Sequence, residues 1–275
     1  MGWRIGLLSG VLLPTLLAAG GAWWFLEEPI EAAAEPPMTA LPVPPFPPRI
    51  SDDPSYESCL GLLPEDPAAA LALIRGWPNG GDAARHCQGL ALIAAGDVAE
   101  GATLLETLAE TNRMPEPARA LVLNQAADAW LHSRLYEQAH RATRRALAMA
   151  PNNVDVLVRH AQAAAHLGLT QEAITDLTRV LKDNPDRVDA LLARSMAWRQ
   201  LDRLEQARAD IDRAAERAPT DPEVLLERGI QRQQRGDLTG AREDWQRVVS
   251  LEPDSEAADL AEQNLALLNA GPTQR

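Results

Sequence analysis

The chain has 275 residues, of which 46% are hydrophobic but only 4% aromatic, so it holds enough apolar material for a sizeable core, and that core must be built from Ala, Leu and Val. Ala and Leu favour helices, whereas Val, Ile and Tyr lead the strand scale, so composition alone points to an all-α fold. A net charge of -13, a pI near 4.8 and the lack of a basic stripe exclude a nucleic-acid binder, which must neutralise phosphates with clustered Lys and Arg. The arginines that are present, such as Arg141, Arg144, Arg145, Arg208 and Arg213, alternate with Glu and Asp and read as solvated helix faces.

Residues 1–4 read as a short cytoplasmic tail. From Ile5 to Leu26 run 22 residues without a charge, long enough at about 1.5 Å per residue to cross a hydrocarbon core of about 30 Å. Trp3 precedes the run, and Trp23 and Trp24 stand near its end, where rings would lie at the two interfaces of a retained transmembrane helix or signal anchor. A cleaved signal peptide is the alternative, with small residues at Ala18, Ala19 and Gly20 or at Ala32 and Ala34. Arg4 before the run and Glu27, Glu28 and Glu31 after it put the bulk of the chain outside the cytoplasm. The Ala- and Arg-rich composition suggests a Gram-negative bacterium, with a single pass through the inner membrane and the remainder in the periplasm.

Residues 27–50 form an acidic linker carrying Pro29, Pro36, Pro37, Pro42, Pro44, Pro45, Pro47 and Pro48. Proline fixes φ and lacks an amide hydrogen, which makes the stretch an extended spacer. The run from Leu41 to Pro48 also has the form of a proline-rich ligand. Residues 51–118 then hold two irregular helical hairpins. The first comprises Tyr56 to Leu63 and Pro67 to Trp77, with Pro78 to Gly81 as its exit turn; in the second, Gly96 and Asp97 echo the later Gly236 and Asp237.

Residues 119–253 carry a period. Pro151, Pro185, Pro219 and Pro253 are spaced by 34 residues, as are Leu123, Leu157, Leu191 and Leu225. The same step links Ala127, Ala161, Ser195 and Gly229, then Ala139, Ala173, Ala207 and Ala241, and then Ala146, Val180, Ala214 and Val248. Small residues recur where helices approach closely and leucines where a larger side chain fills the seam. Each unit is therefore a helical hairpin, such as Val154 to His166 followed, after Gly168, by Thr170 to Lys182, and the proline ends it. This pattern resembles the tetratricopeptide repeat family in its period, its paired helices and its terminal proline. The family's aromatic column is kept at Trp130 and Trp198 but is Ala164 and Arg232 elsewhere, and its bulky second-helix column reads Thr143, Leu177, Ile211 and Trp245. The resemblance implies a right-handed superhelical solenoid of six antiparallel hairpins. Residues 254–270 then form a capping helix, and 271–275 a disordered tail.

Cys59 and Cys87 fall in the first helices of the two leading hairpins, which lie side by side in a stack. An exported domain permits a disulfide between them, and two buried thiols are the other reading. No metal or cofactor is expected: His86 and Cys87 have no second pair at ligand spacing. His86, His132, His140, His160 and His166 lie on helices with no nucleophile motif, phosphate loop or paired carboxylates nearby, and read as surface or groove residues. The chain is accordingly expected to be no enzyme and to take no small-molecule substrate.

In proteins of this resemblance the first helices line a concave groove that grips a peptide or a partner helix. The resemblance assigns to that groove the columns Asn124, Val158, Leu192 and Leu226, and Asp128, Gln162, Met196 and Ile230, as exposed positions. Polar groups at Asn124, Asp128 and His132 give way along it to an apolar patch of Leu192, Met196, Leu226 and Ile230, flanked by Arg159 and Arg199. The patch would take an apolar helix or strand, with the arginines reading an acidic end; ordinary packing between repeats is the competing account. Asp189 and Ala193 stand where a carboxylate clamp would want cations, which argues against docking of chain termini. The expected role is a scaffold or assembly factor of the cell envelope for exported or membrane proteins, or else a permanent accessory subunit of a membrane complex.

Overall fold

The computed structural model describes residues 50–111 and 113–270, and these belong to one compact unit, Phe46–Arg275. The proposed membrane span at 5–26 and most of the linker lie outside the described residues. Among the described residues no helix is long and apolar enough to cross a membrane. Thirteen helices and no strand occur there. They alternate as first and second members of hairpins: α1 (Pro54–Leu62) with α2 (Pro67–Arg75), α3 (Gly81–Ala94) with α4 (Val98–Glu110), and α5 (Glu116–His132) with α6 (Tyr136–Met149). The pairs α7 (Val154–His166) and α8 (Thr170–Asp183), α9 (Val188–Gln200) and α10 (Leu204–Arg217), and α11 (Pro222–Gln234) and α12 (Leu238–Leu251) continue the series, and α13 (Glu256–Ala270) closes it.

Starts and stops of these helices follow from local chemistry. Asp53, Asp66, Asn153 and Asp221 accept hydrogen bonds from amides of the first turn, and Pro54, Pro67 and Pro222 occupy initial positions where no amide hydrogen is needed. The turn inside each later hairpin needs one left-handed residue. Gly168 and Gly236 fill it at φ 76° and 83°, whereas Arg134 and Asp202 fill the equivalent places at φ 57°. A non-glycine residue there carries strain of about 1–2 kcal/mol, so two of the four regular turns are held by their surroundings.

The periodic columns are the core. Leu123, Leu157, Leu191 and Leu225 are buried, as are the alanines at 139, 173, 207 and 241 and the Ala146, Val180, Ala214 and Val248 series. One size trade is visible within it. Trp245 fills the bulky second-helix column that holds Leu177 and Ile211 in earlier repeats, and a Cβ on Gly229 would come within 2.4 Å of its indole Nε1. Gly229→Ala should therefore destabilise the array by about 1–3 kcal/mol, and adding Trp245→Leu should restore much of that, as read by urea melts of the two variants. A Gly229→Ala melt equal to the parent would show that the ring moves freely.

At the leading end, Cys59 on α1 and Cys87 on α3 form a disulfide with Cα atoms 6.3 Å apart, inside a small cluster with Tyr56, Leu60, Ala70, Ala83 and Ala91. At the other end, Ala258 and Ala261 of α13, with Leu265 and Leu268, cover Leu225, Trp245 and Val248.

Candidate partner-binding face

Successive first helices touch along much of the array, α1 with α3, α5 with α7, α7 with α9, α9 with α11 and α11 with α13, whereas second helices make no comparable contact with one another. First helices thus crowd on the inner side of the curve. Arg134, at the turn after α5, even forms an ion pair with Glu256 at the start of α13.

The proposed groove residues do not share one environment. Asn124, Val158 and Leu192 are buried, contrary to the expected exposure, because the neighbouring hairpin covers the helix face that a lone hairpin would leave open. Val158 and Leu192 belong to the core cluster of α7 to α11. Asp128, Gln162, Met196, Leu226 and Ile230 are half-buried, and His132 is exposed. The apolar patch is divided: Met196 packs on the same cluster as Leu192, while Leu226 and Ile230 pack on the cluster capped by α13. Inter-repeat packing therefore uses one side of each of these side chains and leaves the other open.

Arg159 and Arg199 are spoken for. Arg159 Nε donates to Asp128 Oδ1 at 2.8 Å, joining α7 to α5. Arg199 grips both oxygens of Glu227 at 2.7 and 2.9 Å, joining α9 to α11, and Gln231 Nε2 donates to Glu227 Oε1 and to Ser195 Oγ. Glu227 is buried, so its carboxylate depends on these donors. The arginines brace neighbouring first helices instead of waiting for a partner's carboxylate, and sequence position could not show this, since Asp128 and Glu227 lie 31 and 28 residues away.

Inside the hairpins a second ladder repeats with the period. Arg194 holds Asp210 at 2.7 and 2.8 Å, and Arg228 holds Asp244 at 2.9 and 2.6 Å, each from first helix to second. One repeat earlier the same two positions are His160 and Asp176, joined at 2.7 Å. The histidines expected at the surface or in the groove are in fact split: His86 and His160 are buried, His140 is half-buried, and His132 and His166 are exposed. His86 sits between Tyr56 Oη at 2.7 Å and Gln125 Oε1 at 2.6 Å, bridging three first helices. His166 stacks on Tyr136 with ring centroids 4.0 Å apart.

A family model described as tetratricopeptide repeat matches residues 88–154 and 158–222. Over those residues the hairpins are tetratricopeptide repeats. Among solved structures, TTC0263, a thermophilic tetratricopeptide repeat protein of Thermus thermophilus, is similar at 20% identity and a TM-score of 0.56, over 69% of this chain and 100% of that one. MamA (41-end) from Desulfovibrio magneticus RS-1 is similar at 18% identity and a TM-score of 0.52, over 64% of this chain and 97% of that one. These likenesses show a shared fold. No curated protein matches in sequence. Tetratricopeptide repeat proteins bind protein partners or peptides, and in this array successive first helices lie side by side.

Proposed function

We propose that the chain is a non-enzymatic scaffold or assembly factor of the cell envelope, holding peptides or helices of protein partners along its first helices. The observation that carries this reading is the row of Gln162, Met196, Leu226 and Ile230, half-buried on α7, α9 and α11, first helices that touch one another in succession. In this reading residues 5–26 tether the chain to the inner membrane, 27–50 set its reach, and the repeats work in the periplasm. The Cys59–Cys87 disulfide supports an oxidising compartment, because such bonds are rare in the cytosol.

The test is photo-crosslinking in living cells from a reactive amino acid placed at 162, 196, 226 or 230, against controls at the exposed second-helix positions Thr175 and Arg208. Adducts with protein are expected from the first-helix sites and not from the controls. Adducts only from second-helix sites would sink the reading. A specific feature favours the second possibility, a permanent accessory subunit: Leu260 and Leu267 on the capping helix are 42% and 68% exposed, an apolar end that a neighbouring subunit would cover. Adducts confined to position 267, with one stoichiometric protein, would select it.

A further inference from the structure

At the joint between the third and fourth hairpins, three helices deliver metal-binding side chains to one place. His140 comes from α6, His160 from α7 and Glu172 from α8, and one donor atom from each lies within 4.8 Å of the others. Glu172 Oε1 is 3.6 Å from Nε2 of both histidines, too long for a hydrogen bond. Both Nε2 atoms are buried without a hydrogen-bond partner, and the His160 side chain is only 5% exposed. Buried polar atoms are nearly always satisfied, so two orphan nitrogens facing one carboxylate point to a ligand.

From this geometry we propose that His140 Nε2, His160 Nε2 and the Glu172 carboxylate bind a divalent transition-metal cation, with Zn²⁺ the best fit. Metal–donor bonds of about 2.0–2.2 Å in a tetrahedral site set donors about 3.3 Å apart, so the two carboxylate–imidazole separations of 3.6 Å close with a shift of a few tenths of an ångström. The two imidazoles, stacked with centroids 4.5 Å apart at 20°, require the half-buried His140 ring to turn so that both Nε2 lone pairs meet the ion. Two imidazoles and a carboxylate suit Zn²⁺, Co²⁺, Ni²⁺ or Cu²⁺ and do not suit Mg²⁺ or Ca²⁺, which want oxygen. Glu172 is 44% exposed and gives the ion a way in, with water as the fourth ligand. His160 Nδ1 is held by Asp176 Oδ2 at 2.7 Å, the outer carboxylate that fixes a ligating imidazole and raises its basicity.

The repeat shows how the site arises. Arg194 and Arg228 occupy the place of His160 in later repeats and satisfy their aspartates completely. A histidine reaches its aspartate with one nitrogen and leaves the other free. His140 is matched by Ile174, Arg208 and Arg242, and Glu172 by Gln138, Gln206 and Gly240, so the three ligands coincide at this joint alone. A bound ion would clip α6 to α7 and α8, across the seam between two repeats.

The test uses the full chain, purified without a histidine tag in mild detergent, stripped with chelator and titrated with Co²⁺ and then Zn²⁺ alone. Saturation at one equivalent is expected, with the visible bands of four- or five-coordinate Co²⁺, their loss on adding Zn²⁺, and a raised thermal midpoint that Mg²⁺ does not reproduce. His160→Arg rebuilds the Arg–Asp pair of the later repeats and should fold but lose both the bands and the shift. Glu172→Gln, at a partly exposed position, should do the same without disturbing the core, and Asp176→Asn should weaken binding about 10- to 100-fold. The proposal is overturned if the parent gives neither bands nor shift, or if His160→Arg and Glu172→Gln keep them.

Discussion

Removing the Cys59–Cys87 bond, by Cys→Ala at both positions, is expected to lower the opening free energy of the leading hairpins by about 3–4 kcal/mol, the loop-entropy value for a bridge spanning 28 residues. The loss should be local. The bond sits in a cluster drawn from α1, α2 and α3 that is separate from the larger core of α4 to α7, and repeats contact only their neighbours. Hydrogen exchange should show amides of α1 and α2 losing protection while those of α7 to α12 keep theirs. A uniform loss across the whole array would mean that the stack opens as one unit, contrary to this account. Both cysteines are fully buried, so external reductant should act slowly, at a rate set by opening of these hairpins.

The second large effect is acid sensitivity seated at His86. Burial pushes its pKa down to about 4 from the ordinary 6.5, outweighing the hydrogen bond to Gln125 that acts the other way. The neutral ring fits its partners: the Tyr56 hydroxyl donates to Nδ1 and Nε2–H donates to Gln125 Oε1. Because the folded pKa lies below the unfolded one, the stabilising preference for the neutral ring is fully present above about pH 6.5. It drains away as the pH falls toward 4. The full span corresponds to about 3 kcal/mol, of which about 2 kcal/mol is lost by about pH 5. His140 and His166 are shifted in the same direction, His140 by burial and then His160, His166 by burial and then Arg134, so they add to the acid side. Urea melts at about pH 7 and about pH 5 should show the loss in the parent and a smaller one in His86→Gln, which keeps a polar group in place. Equal pH dependence in both would remove His86 from the explanation.

Much of the hairpin array is legible in the residues because the same step of 34 recurs in proline, leucine and small-residue columns. A repeated chain meets the same packing problem several times and solves it alike. The site is less legible, for three physical reasons. The burial of Asn124, Val158 and Leu192 depends on the next hairpin, so a helix wheel of one hairpin mistakes a covered face for an open one. Arg159 and Arg199 find their carboxylates on neighbouring first helices, at separations that match no local motif. His140, His160 and Glu172 meet only because three helices converge, and the signal that would have found them was a break in a column: a histidine where the following repeats keep Arg194 and Arg228 opposite an aspartate.

The ion pair between Arg134 and Glu256 joins places 122 residues apart in a molecule whose other contacts are almost all between neighbours. Both side chains are about 70% exposed, so the pair contributes at most about 1 kcal/mol and fades as salt shortens the screening length. It is too weak to set the curl of the array, and serves as a gauge of it. Every joint from α5 to α13 adds a small rotation, and the two charges meet only when those rotations sum to this pitch. A clip at one joint, or a partner wedged along the inner turn, would be felt first as a gap opening between Arg134 and Glu256.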